Sequence, residues 1–224
     1  MSTDRINADF AERIVIATDE MPWIPSPQAG VERRMLDRIG GEVARATSLV
    51  RYAAASSFPA HEHALGEEFL VLDGVFSDEH GDYPAGTYVR NPPLSRHTPR
   101  TAPGCTIFVK LRQMSLTERD RLVIDTVNGA WRPAAQAGVS QLPLHSVPGG
   151  EEVALERLEP GAVLAEAECP AGEELLILAG DLRDGHGNYG PGTWIRNPAG
   201  HRPALLSNRG ATYWVKRGHL RPTP

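Results

Sequence analysis

The chain repeats itself, and that limits what it can fold into more than any other feature. Sliding it by 108 residues places Arg13-Ile-Val-Ile-Ala-Thr18 on Arg121-Leu-Val-Ile-Asp-Thr126, Trp23 on Trp131, and Gln28-Ala-Gly-Val31 on Gln136-Ala-Gly-Val139. From Arg51 onward the shift is 106. Arg51 then falls on Arg157, Gly66-Glu-Glu68 on Gly172-Glu-Glu174, and Gly74 on Gly180. Asp78, His80, Gly81 and Tyr83 fall on Asp184, His186, Gly187 and Tyr189, and Arg90-Asn-Pro92 falls on Arg196-Asn-Pro198. Between Gly66 and Lys110, 20 of 45 aligned pairs are identical without a gap. A repeat of this kind is one structural unit used twice. The sequence therefore predicts two modules, 13–114 and 121–217, within domains 1–118 and 119–224. Ser115-Leu-Thr-Glu-Arg-Asp120 is the joint, and its Ser and Thr ahead of acidic residues suit one helical turn.

Punctuation indicates what each module is made of. Glu42 to Tyr52 mixes β-branched and polar residues as a half-buried strand does. Glu68-Phe-Leu-Val-Leu-Asp73, closed by Gly74, and Thr106-Ile-Phe-Val-Lys-Leu111 are short apolar runs, and the stretches between them are dense in turn residues. With 22 glycines and 19 prolines spread along the chain, long helices have little room. Many short strands separated by turns predict an all-β chain of two antiparallel jelly-roll barrels.

The first module carries His61-Glu-His63-Ala-Leu-Gly-Glu67 and, beyond an Arg-Asn-Pro-Pro turn, His97. Three imidazoles and one carboxylate suit a single divalent ion, because neutral histidine nitrogens bind zinc, iron, nickel or copper and a carboxylate compensates charge. On a strand, His61 and His63 project from one face. Glu67 shares that face if the strand runs on through Gly66, and His97 returns from a distant strand. In the second module the 106 shift turns His61 into Ala167, His63 into Cys169 and His97 into Pro203, leaving only Glu173, with His201 two places away. That module is expected to hold no metal and to serve structure, dimerisation or cover.

These residues carry a family resemblance. His61-x-His63-x3-Glu67-x6-Gly74 resembles the first cupin motif, and Pro84-x-Gly86 with Asn91-Pro92 and His97 resembles the second. More narrowly, Phe58-Pro-Ala-His61, the run from Gly66 to Gly86 and Arg90-Asn-Pro-Pro93 resemble the ChrR-type cupins, a group that includes proteins similar to acetylacetone-type dioxygenases. The resemblance implies a bicupin with one divalent metal ion per chain, Fe(II) or Zn(II), with manganese and nickel also suited, held by His61, His63, Glu67 and His97. It implies two functions. One is a dioxygenase acting on a β-diketone or hydroxyaryl ketone. The other is a zinc-binding cupin with a regulatory or oxidant-sensing role. The ChrR anti-sigma proteins hold their sigma factor with a separate helical zinc domain of His-x3-Cys-x2-Cys signature. This chain lacks that signature, so sigma-factor binding does not transfer.

Other features narrow the field. Lys and Arg total 23 against 28 acidic residues, for a formal charge of -5, and no like-charge run points to nucleic acid or an anionic membrane. No apolar stretch approaches the ~20 residues that span a bilayer. Met1 to Glu12 lacks the order of a secretory signal, so a cytoplasmic location and a small-molecule ligand are expected. Cys105 and Cys169 read as buried small hydrophobes. His80, His186, Arg90, Arg196, Trp23 and Trp131 recur in both modules and read as structural. Glu68 is expected on the opposite strand face from Glu67, and Tyr52, Phe69 and Phe76 in the barrel core. Sheet edges that need covering predict a homodimer.

Overall fold

The structure, a computed structural model, describes residues 4–220 of the 224. Among these residues there is no α-helix, only the 3-10 turn Thr18–Glu20, and the sheets are antiparallel throughout. None of the described helices is long and apolar enough to cross a membrane. The residues divide into two units, one made of the chain up to Ala8 with Pro22–Gly129, the other of Asp9–Met21 with the chain from Ala130 on.

In the first unit the large sheet runs, edge to edge, Arg5–Ile6, Val31–Ile39, Arg45–Tyr52, Cys105–Leu111, Glu67–Asp78, Thr87–Asn91 and Leu122–Asp125. Alternation decides the core. Phe69 lies across from Val109 and Val71 across from Ile107, and all four are buried together with Val89 and Phe76. Glu68 and Lys110, one residue on, pair on the other face. The strand expected over 42–52 begins at Arg45. The run expected to close at Gly74 instead continues to Asp78, because Gly74 bends the strand rather than ending it. Its φ is 72°, and a Cβ there would sit 2.0 Å from the Gly104 carbonyl oxygen, so only glycine fits.

The second unit repeats the plan. Its main sheet runs Arg132–Pro133, Val139–Ser146, Glu152–Leu158, Ala211–Arg217, Glu173–Gly180, Thr193–Asn197 and Ile14–Ala17, and its core gathers Leu175, Ile177, Tyr213 and Val215.

The last strand of each sheet is unexpected. Ile14–Ala17, which opens the first module in sequence, pairs with Thr193–Asn197 of the second unit. Leu122–Asp125, which opens the second module in sequence, pairs with Thr87–Asn91 of the first unit. The arginine at the head of each segment anchors it: Arg13 bonds Asn197 and Asp184, and Arg121 bonds Asn91 and the Tyr83 hydroxyl. Residues 9–21 thus fall outside the unit that a boundary at 118/119 gives them, as do residues 119–129. The joint at Ser115 makes one turn without a helix: the Glu118 amide bonds Ser115 O, and the Glu118 carboxylate returns to the Ser115 amide.

Candidate metal centre

His61–His63 and Ser95–His97 pair as a two-stranded sheet of their own, with His61 opposite His97 and His63 opposite Ser95. Period two sets both histidines of the first strand on one face, and the register adds His97 to it. Glu67 arrives by another route than the sequence indicated. The chain turns at Ala64-Leu65-Gly66, with Gly66 at φ 74° and its amide bonded to His63 O, and Glu67 opens the next strand of the large sheet. The turn, not an unbroken strand, delivers the carboxylate.

One nitrogen or oxygen from each of His61, His63, Glu67 and His97 lies within 4.8 Å of all the others. Glu67 Oε2 is 3.4 Å from His63 Nε2 and 3.5 Å from His97 Nε2. Both Nε2 atoms are buried and without a hydrogen-bond partner. Buried polar atoms are rarely left so, and a cation among them would satisfy both at once. The opposite ring edges are tied down: His61 Nδ1 lies 2.9 Å from Pro59 O and His97 Nδ1 3.2 Å from Asp78 Oδ2. Asn91 Nδ2 donates to Glu67 Oε2 at 3.0 Å. Fixing Nδ1 turns Nε2 toward the cluster and sets its tautomer.

The electrostatics fit a set of metal donors. Burial, assisted by His97 and His61 and opposed by Glu67, lowers the His63 pKa and keeps its ring neutral. Burial also opposes the Glu67 carboxylate, yet His63, His97 and Asn91 outweigh it and hold the pKa below the ordinary value. For His97 burial is outweighed by the Asp78 bond and the Glu67 charge, and its pKa rises. Asp78, opposed by burial but bonded to His97, Tyr83 and the His80 amide, is held at about 2 and stays ionised. An ionised Asp78 makes the His97 ring a stronger donor.

A cavity of about 440 Å³ opens beside the cluster, and His61, His63 and Glu67 form part of its wall. Val31, Val50, Tyr52, Phe58, Ile107 and Val109 line much of the rest. This is the size and character of a small-molecule pocket.

Among the described residues the second unit lacks the equivalent cluster, and by a different substitution than the uniform shift gave. Its short sheet pairs Ala167 with Arg202, Glu168 with His201 and Cys169 with Gly200. The turn after Asn197 is one residue shorter than that after Asn91, so Arg202, not Pro203, stands in the place of His97. Glu173 is fully buried, with Arg217 Nε at 3.1 Å and Arg202 Nε at 3.9 Å from Oε2. Asn197 bonds it as Asn91 bonds Glu67. Guanidinium groups supply there the positive charge that a metal would supply in the first unit.

The model of the ChrR cupin-like domain family matches residues 11–115 and again 119–221. The chain belongs to that family. A search of the curated proteins finds no significant match. Among solved structures, a candidate dioxygenase from Nostoc punctiforme superposes with a TM-score of 0.79 at 15% identity, over 95% of this chain and 85% of that one. A candidate glyoxylate-induced protein from Pseudomonas aeruginosa gives 0.75 at 15% identity, over 100% and 92%. A mutant oxalate decarboxylase from Bacillus subtilis gives 0.60 at 10% identity, over 91% and 76%. These likenesses establish the fold, a cupin used twice.

The remaining residues of this bicupin take mostly structural places. Glu68 turns away from the cluster onto Arg90 and the Tyr88 hydroxyl, and Arg90 also holds Glu118 at 2.6 Å. Arg196 lies over the Phe10 ring and bonds Asp9 O. His80 and His186 stabilise their turns through backbone amides that donate to Asp78 and Asp184, not through their rings. Trp23 receives Arg34 and Arg51, and Trp131 receives Arg157, at 4.1–4.5 Å, stacking worth about 0.5–1 kcal/mol each. Burial pushes the Cys105 and Cys169 thiols up to about 11, so both stay protonated. Phe69 and Phe76 are core, while Tyr52 reaches the cavity wall. Asp78 and Asn91 brace the cluster, but in the sequence Asp78 shows only as a repeated residue and Asn91 only as part of the second cupin motif, with no role at a metal. Both recur in the module without a site and so carry no signal of their own.

Proposed function

We propose that His61, His63, Glu67 and His97 bind one divalent metal ion, and that the protein is a metal-dependent dioxygenase for a small oxygenated substrate of the β-diketone or hydroxyaryl ketone kind. One observation carries this reading: three of the four donors form part of the wall of a cavity large enough for a small molecule. A purely structural ion is normally enclosed by its ligands, whereas a catalytic one keeps positions open to a substrate. Bound Fe(II) would supply Lewis acidity toward the substrate oxygens and electrons to dioxygen. The chain's own groups do the rest. Asp78 and the Pro59 carbonyl hold the imidazoles in place, and Asn91 orients the Glu67 carboxylate. The apolar wall of Val50, Ile107 and Val109 excludes water. Tyr52, its pKa raised by burial and by the Glu67 charge, keeps its phenolic proton and can donate it in a hydrogen bond to a substrate oxygen.

The test is oxygen uptake by anaerobically purified, Fe(II)-loaded protein with a panel of β-diketones and hydroxyaryl ketones. Substrate-dependent uptake is the expected result. A tightly held zinc with no uptake for any member would replace this reading with the regulatory one. We further propose a homodimer, because each main sheet ends in short strands with exposed apolar side chains, Val15 at 40% and Val123 at 44%. Light scattering at micromolar concentration should give twice the chain mass of 24.3 kDa, and a monomer mass would end the proposal.

A further inference from the structure

The cavity beside the cluster holds a cation that the fold leaves without a counter-charge. On the strand Val31–Ile39, Val31 faces the core and Arg34 turns outward onto Trp23. Arg33, between them and across from Val50, lines the cavity. Its Nε is buried with no hydrogen-bond partner, and among the described residues no side-chain hydrogen bond or ion pair to Arg33 is found. The other charged groups of that wall are accounted for differently. Glu62 is tied to Arg96 at 2.8 Å, Glu67 belongs to the metal cluster, and Glu42 lies exposed. Arg112, half-buried, adds a second positive charge. Burying a guanidinium N–H without an acceptor is costly, and a planar guanidinium is suited to bidentate recognition of a carboxylate.

We propose that the substrate is an acid: its oxygen-donor head lies at His61, His63 and Glu67, and its carboxylate is received by Arg33. This deepens the proposed function and rests on the metal site assigned there. Arg33 is a specificity-determining residue, since a neutral β-diketone would leave its Nε unmet while an acidic one would satisfy it.

The experiment compares two probes that differ by one carboxylate, 2,4-pentanedione and 2,4-dioxopentanoate. Their binding to Co(II)-loaded protein is measured by calorimetry without oxygen, in the native chain and in Arg33→Gln and Arg33→Lys, with metal content determined for each. The native chain should bind the acid roughly 10-fold or more tighter than the diketone, as a hydrogen bond to a charged group allows. Arg33→Gln should lose that preference, keep its affinity for the diketone within about 2-fold and retain one metal, and Arg33→Lys should recover part of it. Equal weakening of both probes, or no preference in the native chain, overturns the inference while one metal per chain upholds the site. A native chain that takes up no metal overturns the site reading and this inference with it.

Discussion

At the scale of single residues, the donors of the cluster are readable from spacing, and the groups that aim them are not. His-x-His on a strand is a chemical pattern. Asp78 is one aspartate of a turn motif that recurs as Asp184, which meets Tyr189, Arg13 and the His186 amide and, among the described residues, no histidine ring. Only the register of Ser95–His97 brings His97 Nδ1 to it. Asp78→Asn should therefore weaken metal affinity about 10–100-fold while leaving the stoichiometry at saturation intact. Competition with a fluorescent chelator measures this, and unchanged affinity would remove Asp78 from the site. A second residue-scale network sits away from any metal. Glu156 is buried against Arg217 at 2.7 and 2.9 Å, the Tyr213 hydroxyl at 2.6 Å and Gln141. Burial opposes its charge, but Arg217, Tyr213 and Gln141 outweigh it and depress its pKa below the ordinary 4.5. A depressed carboxylate contributes stability that is complete above its unfolded pKa and is lost as pH falls through the folded value. Glu156→Gln should cost about 3 kcal/mol at neutral pH, with the gap to the native chain narrowing below about pH 4.5. Urea unfolding at pH 7 and pH 3 checks this, and a constant gap would contradict it.

At the scale of elements, patterning gave the strands and local geometry gave their departures. The apolar runs at 68–73 and 106–111 do pair, as Phe69 with Val109 and Val71 with Ile107. Gly74 looked like a terminator because glycine usually punctuates strands. Its actual place is a bend where two backbones touch, matched by Gly180 against the Gly210 carbonyl. Gly74→Ala should destabilise the first unit by about 1–2 kcal/mol from the left-handed backbone alone, with the clash on the Gly104 carbonyl adding to that. A denaturant midpoint equal to that of the native chain would show that the bend relaxes. The turn before His97 is the other such case. Its single-residue difference from the equivalent turn is hidden in an ungapped alignment and visible only in the register, which sets Arg202 rather than Pro203 in the ligand position.

At the scale of the whole molecule, the repeat made the bicupin legible and concealed how its pieces are allotted. Arg13–Thr18 and Arg121–Thr126 align with each other whichever sheet they join, so self-similarity could not reveal that the first completes the second unit's sheet and the second completes the first's. The two units also divide the chemistry. The first offers open imidazole nitrogens to a cation beside a cavity, and the second closes the same place with Arg202 and Arg217 on Glu173. The central claim is this asymmetry, and metal content per chain tests it most directly. Elemental mass spectrometry of the native chain and of Glu67→Gln, His97→Ala and Glu173→Gln should give about one ion for the native chain and Glu173→Gln and none for the other two. Two ions per chain, or full occupancy in His97→Ala, would contradict it.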